Sequence, residues 1–296
     1  MKIREETGTK VFNTAAALIL IVLSILCVLP FVVIVSGSFT DNDTILSAGY
    51  SVFPRNFTTA AYKTIFENPD DILQAYRVTI FVTIFGTALG LAVISMTGYV
   101  LSRREFRYRN VISFLIYFTS IFGGGLVPWY FMYTGVLQSK GTLFPIIIPG
   151  LMSPFLIIIM RTFIVSALPH EVTEAAIVDG AGNFTIFCKV VLPVVTPGLA
   201  TVGLFLALGY WNDWYRSSLF STDSSTWMLQ YYLYNMVNRA EALRSLAAQS
   251  DVMISDLPRE SVKLAMAVVV TGPILLLYPF VQKYFVSGIT IGAVKG

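Results

Sequence analysis

Few residues of this 296-residue chain could do chemistry, and their spacing does not suit catalysis. His170 is the single histidine, and the two cysteines, Cys27 and Cys188, lie far apart in an apolar run and a polar segment. Neither a disulfide framework nor a metal site is therefore indicated. The sequence has no G-x-x-x-x-G-K-[ST] phosphate loop and no evident nucleophile–base pair. We expect no enzymatic activity, no metal and no ATP bound by that motif.

One polar segment lies between two long apolar runs, and it reads PHEVTEAAIVDGAGNFTIFCKVVLP from Pro169 to Pro193. The pattern predicts two short helices joined by a sharp turn. Pro169 suits the first helical position, with Ser166 as a cap ahead of it. Gly180 is expected to end the first helix, Asn183 to cap the second, and Pro193 to stop it. Helices this short are marginal alone in water, so the segment needs a partner surface.

The composition predicts an all-α integral membrane protein. Hydrophobic residues make up 55% of the chain and charged residues only 12%, whereas soluble domains carry about 25% charged residues. Six uncharged stretches are long enough for the roughly 20 residues that a membrane-spanning helix needs. We expect one transmembrane domain over residues 1–296, with close helix packing at the G-x-x-x-G of Gly86 and Gly90. The predicted spans are about 11–38, 78–102, 110–136, 142–160, 190–214 and 264–284.

The first span begins after basic residues, as a signal peptide does, but it is too long and no small-x-small cleavage site follows. We interpret it as a retained helix. The third and fourth spans should be kinked or start late because they contain several prolines. These prolines are Pro128, Pro145, Pro149 and Pro154.

Lysine and arginine residues in the short connections predict the orientation, because they concentrate on the cytoplasmic side. Placing both termini inside puts eleven of the twenty basic residues in cytoplasmic segments. These are Lys2, Arg4, Lys10, Arg103, Arg104, Arg107, Arg109, Arg161, Lys189, Lys283 and Lys295. The polar segment then belongs to a cytoplasmic loop, 161–193, and the long outer loops are 39–77 and 216–262.

The spacing within the polar segment resembles the E-A-A loop of the membrane subunits of ATP-binding-cassette importers. The matching letters are Glu174-Ala175-Ala176, Gly180 and Leu192-Pro193, with Val190 where isoleucine is usual. Three further runs are similar to the second permease of maltose-type carbohydrate importers. They are Gly123 to Pro128 (GGGLVP), Tyr210 to Trp214 (YWNDW) and Gly292 to Gly296 (GAVKG). The chain looks most like permeases for complex oligosaccharides or polysaccharide fragments in Gram-positive bacteria.

The resemblance implies a multi-pass permease of the bacterial cytoplasmic membrane, with six helices and a cytoplasmic coupling helix-turn-helix. Its implied partners are a homologous permease in a heterodimer, two ATPase subunits that hold ATP and Mg, and an extracytoplasmic sugar-binding protein. No nucleic acid and no cofactor of its own are implied. The C-terminal run could also reach the ATPase. The implied coupling residues are Glu174, Ala175, Ala176, Asp179, Gly180, Leu192 and Pro193.

The coupling residues also make physical sense at a docking surface. Glu174 can form a charge-assisted contact with a basic group on the ATPase, and the small residues allow close approach. Asp179 is expected to steady the turn. The alternative is an amphipathic helix on the inner leaflet, but such helices are rich in Lys and Arg. Here no basic residue occurs between His170 and Lys189.

Candidates for the sugar path are aromatic and amide residues on the third and fifth predicted spans, since sugars stack on aromatic faces. They are Trp129, Tyr130, Tyr133, Tyr210, Trp211 and Asn212. Lipid-belt or packing roles are the alternative for each of them. Outward-facing Arg216, Arg239 and Arg244 could favour acidic sugars or could be solvated surface charge.

Two other functions stay open at this point. A self-sufficient secondary carrier or channel for a small polar solute would carry ionisable residues within its spans, and these are almost absent here. A membrane-embedded docking or assembly factor without transport activity would tolerate polar substitutions in the path.

Overall fold

A computed structural model describes residues 7–67, 69–250 and 260–293. This part of the chain is helical and contains no β-strand, only an isolated bridge between Thr40 and Phe57, so the predicted all-α class is confirmed. The described residues form two compact units. The first is drawn from 1–69 and 235–272, and the second from 70–234 and 273–296.

The helices are, in chain order, α1 (Thr7–Ser38), α2 (Asn42–Ala48), α3 (Ala60–Glu67), α4 (Pro69–Ser102), α5 (Arg109–Ile121), α6 (Leu126–Phe131), α7 (Phe144–Ile147), α8 (Pro154–Ala167), α9 (His170–Val178), α10 (Asn183–Ile186), α11 (Leu192–Val194), α12 (Thr196–Trp211), α13 (Tyr215–Phe220), α14 (Leu229–Ser250) and α15 (Glu260–Ala293). Two π-helical turns (Met132–Val136, Phe187–Val191) and two 3-10 turns (Ile148–Gly150, Ser224–Thr226) extend or join them.

In the first unit, the end of α1 packs against α3 and α15. Phe39, just after α1, stacks on Phe57 at a ring distance of 5.4 Å. The hydroxyl of Ser38 lies 2.8 Å from that of Tyr62 in α3. Gly37 packs so closely on Leu264 of α15 that an added Cβ would overlap a leucine methyl. Most of α1 ahead of this contact exposes apolar side chains, as a membrane-facing helix does.

The core of the second unit forms where α4 packs on α8 and α12. The glycines of α4 face these helices, and an added Cβ at Gly86 would lie 2.7 Å from the ring of Tyr210. At Gly90 it would lie 3.0 Å from a methyl of Leu206, and at Gly98 it would lie 3.0 Å from Met160. The close packing predicted from G-x-x-x-G is therefore present, because only a residue without a side chain fits.

Two helices of the described chain are long and apolar enough to cross a membrane, Gly8–Ser38 and Pro69–Ser102. Three bent pairs also qualify if each pair is taken as one span. The first bends by 111° between Ile121 and Leu126, and the second by 40° between Gly150 and Pro154. These match the predicted kinks, although the larger break falls at glycines 123–125 and not at Pro128. The prediction of six spans stays a prediction.

The predicted span 190–214 is not one helix, since the chain turns by 84° at Val195. Residues up to Val194 continue the polar segment, and α12 begins at Thr196. Pro197 lies in the first turn of α12, where its missing N–H costs nothing. The helical run that contains Pro193 ends one residue later, at Val194, next to the position where the sequence predicted its end.

The contact between Gly86 and Tyr210 gives a first stability prediction. Tyr210 is 1% exposed and donates a 2.8 Å hydrogen bond to the carbonyl of Ile147. Gly86→Leu forces this ring to move, so we expect a loss of about 1–3 kcal/mol, the usual cost of overpacking. Thermal unfolding of the purified permease in detergent measures it. Gly209→Ala, one residue from Tyr210, adds its Cβ to open space and is the matched control. Equal unfolding midpoints for the two variants would contradict the packing.

Candidate coupling site and sugar path

The polar segment folds as predicted at its turn. α9 ends at Val178, and Gly180 adopts a φ of +79°, a left-handed conformation that favours glycine. Its N–H donates to the carbonyl of Ile177 at 2.9 Å, and the N–H of Ala181 donates to that of Ala176 at 2.9 Å. These two bonds define a Schellman motif, which satisfies the last carbonyls of α9 and fixes the exit of the chain.

The other end-of-helix predictions were wrong in detail. Pro169 precedes α9 instead of opening it, because its ψ of 144° is not helical and it occupies the capping position. Ser166 is not a cap, since it lies inside α8 and donates to the carbonyl of Thr162. Asn183 is the first residue of α10 and makes no side-chain cap, because Gly182 occupies the capping position.

The predicted coupling residues separate into an exposed turn and a packed base. Glu174, Ala175, Asp179 and Gly180 are exposed, while Ala176 packs against the core. At the base, Leu192 packs against the core and Pro193 is exposed. The first seven residues of the predicted loop 161–193, residues 161–167, are helical and belong to α8.

Sequence reasoning missed several exposed apolar residues in this segment. Val178 is 87% exposed and Phe184 is 70% exposed, and Val172 and Ile177 also show large exposed areas. Apolar side chains at the tip of a polar turn are typical of protein–protein contacts. Their position inside an otherwise polar stretch was the signal in the sequence.

The base of the segment is anchored to the end of α4. The ring of Phe187 lies 5.5 Å from that of Tyr99, and both are buried. Arg161 of α8 donates from Nε to the carbonyl of Leu101 at 3.1 Å. Packed side chains and a hydrogen bond therefore connect the base of the segment to α4 and α8.

A chain of charged groups links the residues after α4 to α9. Nε of Arg103 lies 3.1 Å from the carboxylate of Glu105, and Glu105 lies 3.2 Å from Nε2 of His170. Nδ1 of the same histidine lies 3.2 Å from the carboxylate of Glu174. The backbone N–H of Glu105 itself, followed by the charges of Arg103 and His170, holds the pKa of the Glu105 carboxyl below its usual value.

The aromatic candidates on the third predicted span surround a buried phenylalanine. Trp129, Tyr130 and Tyr133 lie 5.1, 5.7 and 5.5 Å from the ring of Phe220, which is fully buried. The hydroxyl of Tyr130 also accepts a 2.9 Å hydrogen bond from Nζ of Lys140. The structure thus brings these three residues together as a packed cluster, and their contact with sugar stays a prediction.

The candidates on the fifth predicted span differ in exposure. Tyr210 and Trp211 are buried, at 1% and 6% exposure, and their contact with sugar stays a prediction. Asn212 is exposed, and its side-chain carbonyl accepts a 3.2 Å hydrogen bond from Gln230. Close along the chain, Trp214 stacks on Tyr234 at 4.5 Å, and both rings are about two-fifths exposed. This neighbouring pair was not among the predicted path residues.

Comparison with known proteins shows the class of this molecule. No protein-family model matches the chain. It is 36% identical over 291 residues to protein LplC of Bacillus subtilis strain 168, covering 97% of this chain and 96% of LplC. It is 35% identical over 280 residues to the polygalacturonan/rhamnogalacturonan transport system permease protein YtcP of the same strain, covering 94% and 96% of the two chains.

A solved structure agrees with these relatives. A bacterial ABC transporter involved in the import of the acidic polysaccharide alginate superimposes with a TM-score of 0.81 at 27% identity, covering 96% of this chain and 100% of that one. The chain belongs to the permease subunits of ATP-binding-cassette importers for carbohydrates. It is an integral membrane transport subunit and not an enzyme. The alternative function, a self-sufficient secondary carrier or channel, is therefore rejected.

Proposed function

We propose that this permease imports oligosaccharide fragments of an acidic polysaccharide and that the turn from Glu174 to Gly180 couples it to the ATPase. The observation that carries the coupling role is the exposed turn itself, with Glu174 and the apolar Val178 at the surface and Phe187 packed on Tyr99 at the base. Membership of the family implies an ATPase and a substrate-binding protein as partners.

The finer arrangement is part of the proposal. The chain spans the bacterial cytoplasmic membrane six times, with both termini and the coupling loop inside and with residues 39–77 and 216–262 outside. It pairs with a homologous permease, and two ATPase subunits bind ATP and Mg. Residues 251–259 of the outer loop lie outside the described residues, as do residues 294–296 of the C-terminal run that could reach the ATPase.

The proposed cycle is a rigid-body switch between two states. ATP closes the ATPase dimer, which moves the coupling turns of both permeases together and opens the path outward. The binding protein then releases its sugar into the path, and hydrolysis resets the turns. In this chain the movement passes from α9 and α10 through Phe187 and Tyr99 to α4.

The proposed substrate class is supported by the names of two related proteins. YtcP is named for polygalacturonan and rhamnogalacturonan, and the solved transporter imports alginate, so both are associated with acidic polysaccharides. Among the arginines considered for acidic sugars, Arg216 is paired with Asp213 and donates to the carbonyl of Ile146 at 2.9 Å. It is therefore engaged within the chain, and the acidic preference is not assigned to it.

The substrate prediction is tested with the complete complex in proteoliposomes. We expect uronic-acid oligosaccharides to stimulate ATP hydrolysis severalfold more than neutral oligosaccharides of the same length, in the presence of the binding protein. Omitting the binding protein is the control and should remove the difference. Stimulation by neutral sugars equal to that by uronic acids would contradict the substrate class, and sugar flux without the ATPase would contradict the coupling role.

A further inference from the structure

His170, at the start of α9, lies between two carboxylates. Its Nε2 is 3.2 Å from Glu105 and its Nδ1 is 3.2 Å from Glu174. The three side chains are 27%, 51% and 63% exposed, so water reaches all of them. One imidazole thus joins the residues after α4 to the residue predicted to meet the ATPase.

The chemistry of the three groups determines when both contacts form. An ionised carboxylate only accepts hydrogen bonds, so each ring nitrogen must carry a hydrogen to make its contact. Neutral imidazole has only one N–H, whereas the imidazolium ion has two. Hydrogen bonds to both carboxylates at once therefore require the imidazolium form, whereas a neutral ring would turn a lone pair toward one of the two glutamates.

The surroundings make histidine the group that switches. The pKa of Glu105 is lowered, so this carboxylate keeps its charge throughout the neutral range. Arg103 pairs with Glu105, and Tyr99, Arg104 and Thr173 line the same small cavity beside the imidazole. On α9 itself the other charged neighbour is Glu171, which is exposed. Histidine is the side chain whose charge ordinarily changes between pH 5 and 8.

We propose that His170 is a pH-sensitive positioning residue for Glu174. When protonated, it ties Glu174 and α9 to the Arg103–Glu105 pair; when neutral, it releases the Glu174 carboxylate for a basic group on the ATPase. The proposal rests on the proposed function in one respect, that α9 docks on the ATPase. Cytoplasmic acidification is then expected to slow import. The change should be about two- to fivefold, because the ion pairs of His170 are partly exposed.

A direct test uses the fact that His170 is the single histidine of the chain. Permease labelled with ¹⁵N-histidine, assembled with unlabelled partners in proteoliposomes, gives one imidazole signal set by solid-state NMR. At pH 6 we expect both nitrogens to be protonated and hydrogen-bonded, and at pH 8 only one. Glu105→Gln should remove the charge-assisted bond at Nε2, and Glu174→Gln should remove the charge-assisted bond at Nδ1. Glu171→Gln is the matched control on the same helix and should change neither.

The functional test varies the internal pH of the same proteoliposomes between 6 and 8. Wild type and Glu171→Gln should import more slowly at pH 6. His170→Gln is always neutral and should import at the faster rate over the whole pH range. His170→Lys stays charged and should import at the slower rate over the same range. The proposal would be overturned if the imidazole signal of His170 changed in neither glutamate variant. It would also be overturned if the wild-type uptake rate did not change with pH.

Failure of the coupling role is recognised separately. If Glu174→Ala leaves ATPase association and uptake unchanged, the docking role of α9 is wrong even where NMR shows the His170 contacts. If that variant uncouples the complex while NMR shows no contact between His170 and the glutamates, the coupling role stands and the histidine switch is wrong.

Discussion

Replacing Gly180 with valine is expected to reduce ATP-driven sugar uptake by about tenfold or more. Gly180 has a φ of +79°, where a Cβ costs roughly 1–2 kcal/mol and a β-branched side chain costs more. Valine would break the Schellman bonds from Gly180 and Ala181 and redirect the chain after α9. The exposed face from Glu174 to Val178 would then meet the ATPase at the wrong angle. Uptake and co-purification of the ATPase with the permease measure the effect.

A neighbouring glycine provides the matched control. An added Cβ meets no atom within 4 Å at either Gly180 or Gly182, but Gly182 has an ordinary φ of −70°. Gly182→Ala should therefore import at close to the wild-type rate. Gly180→Asn should fall between them, because asparagine tolerates the left-handed conformation better than valine. Full uptake by Gly180→Val would show that the turn geometry does not matter for coupling.

The turn could be predicted from the sequence because its physics is local. Glycine is favoured directly after a helix, where the backbone adopts a left-handed conformation, and Gly180 occupies such a position. The all-α class and the long helix α4 follow from composition and span length in the same way. Capping was less predictable, since Asn183 and Gly182 compete for one position and the preceding turn selects the glycine.

Contacts between distant parts of the chain were not predictable. The carboxylate of Glu105 lies 65 positions before His170, and no spacing rule joins them. Tyr210 looked like a path residue in the sequence, but it is buried because Gly86 leaves room for its ring and Ile147 accepts its hydroxyl. The bend at Val195 likewise depends on how α12 packs on α8 as well as on the local prolines.

The largest stability loss is expected from breaking the ion pair between Asp213 and Arg216. The carboxylate of Asp213 is only 6% exposed, and Arg216 bonds to it, donates to the carbonyl of Ile146 at 2.9 Å and lies over the ring of Tyr210. Arg216→Met leaves a buried charge without its partner, which typically costs about 3–5 kcal/mol. Thermal unfolding in detergent should show a larger loss than for any variant in the exposed turn. Lys140→Met is the control, since Lys140 is exposed and bonds to the neutral Tyr130.

The double variant decides whether the loss comes from the unpaired charge. Asp213→Asn combined with Arg216→Met removes both charges, and replacing a buried pair as a whole is often far less costly than breaking it. We therefore expect the double variant to unfold at a higher temperature than Arg216→Met alone. If the double variant is no more stable than Arg216→Met alone, the arginine acts through its bond to Ile146 and its packing on Tyr210. The ion pair would then contribute little to the stability of this region.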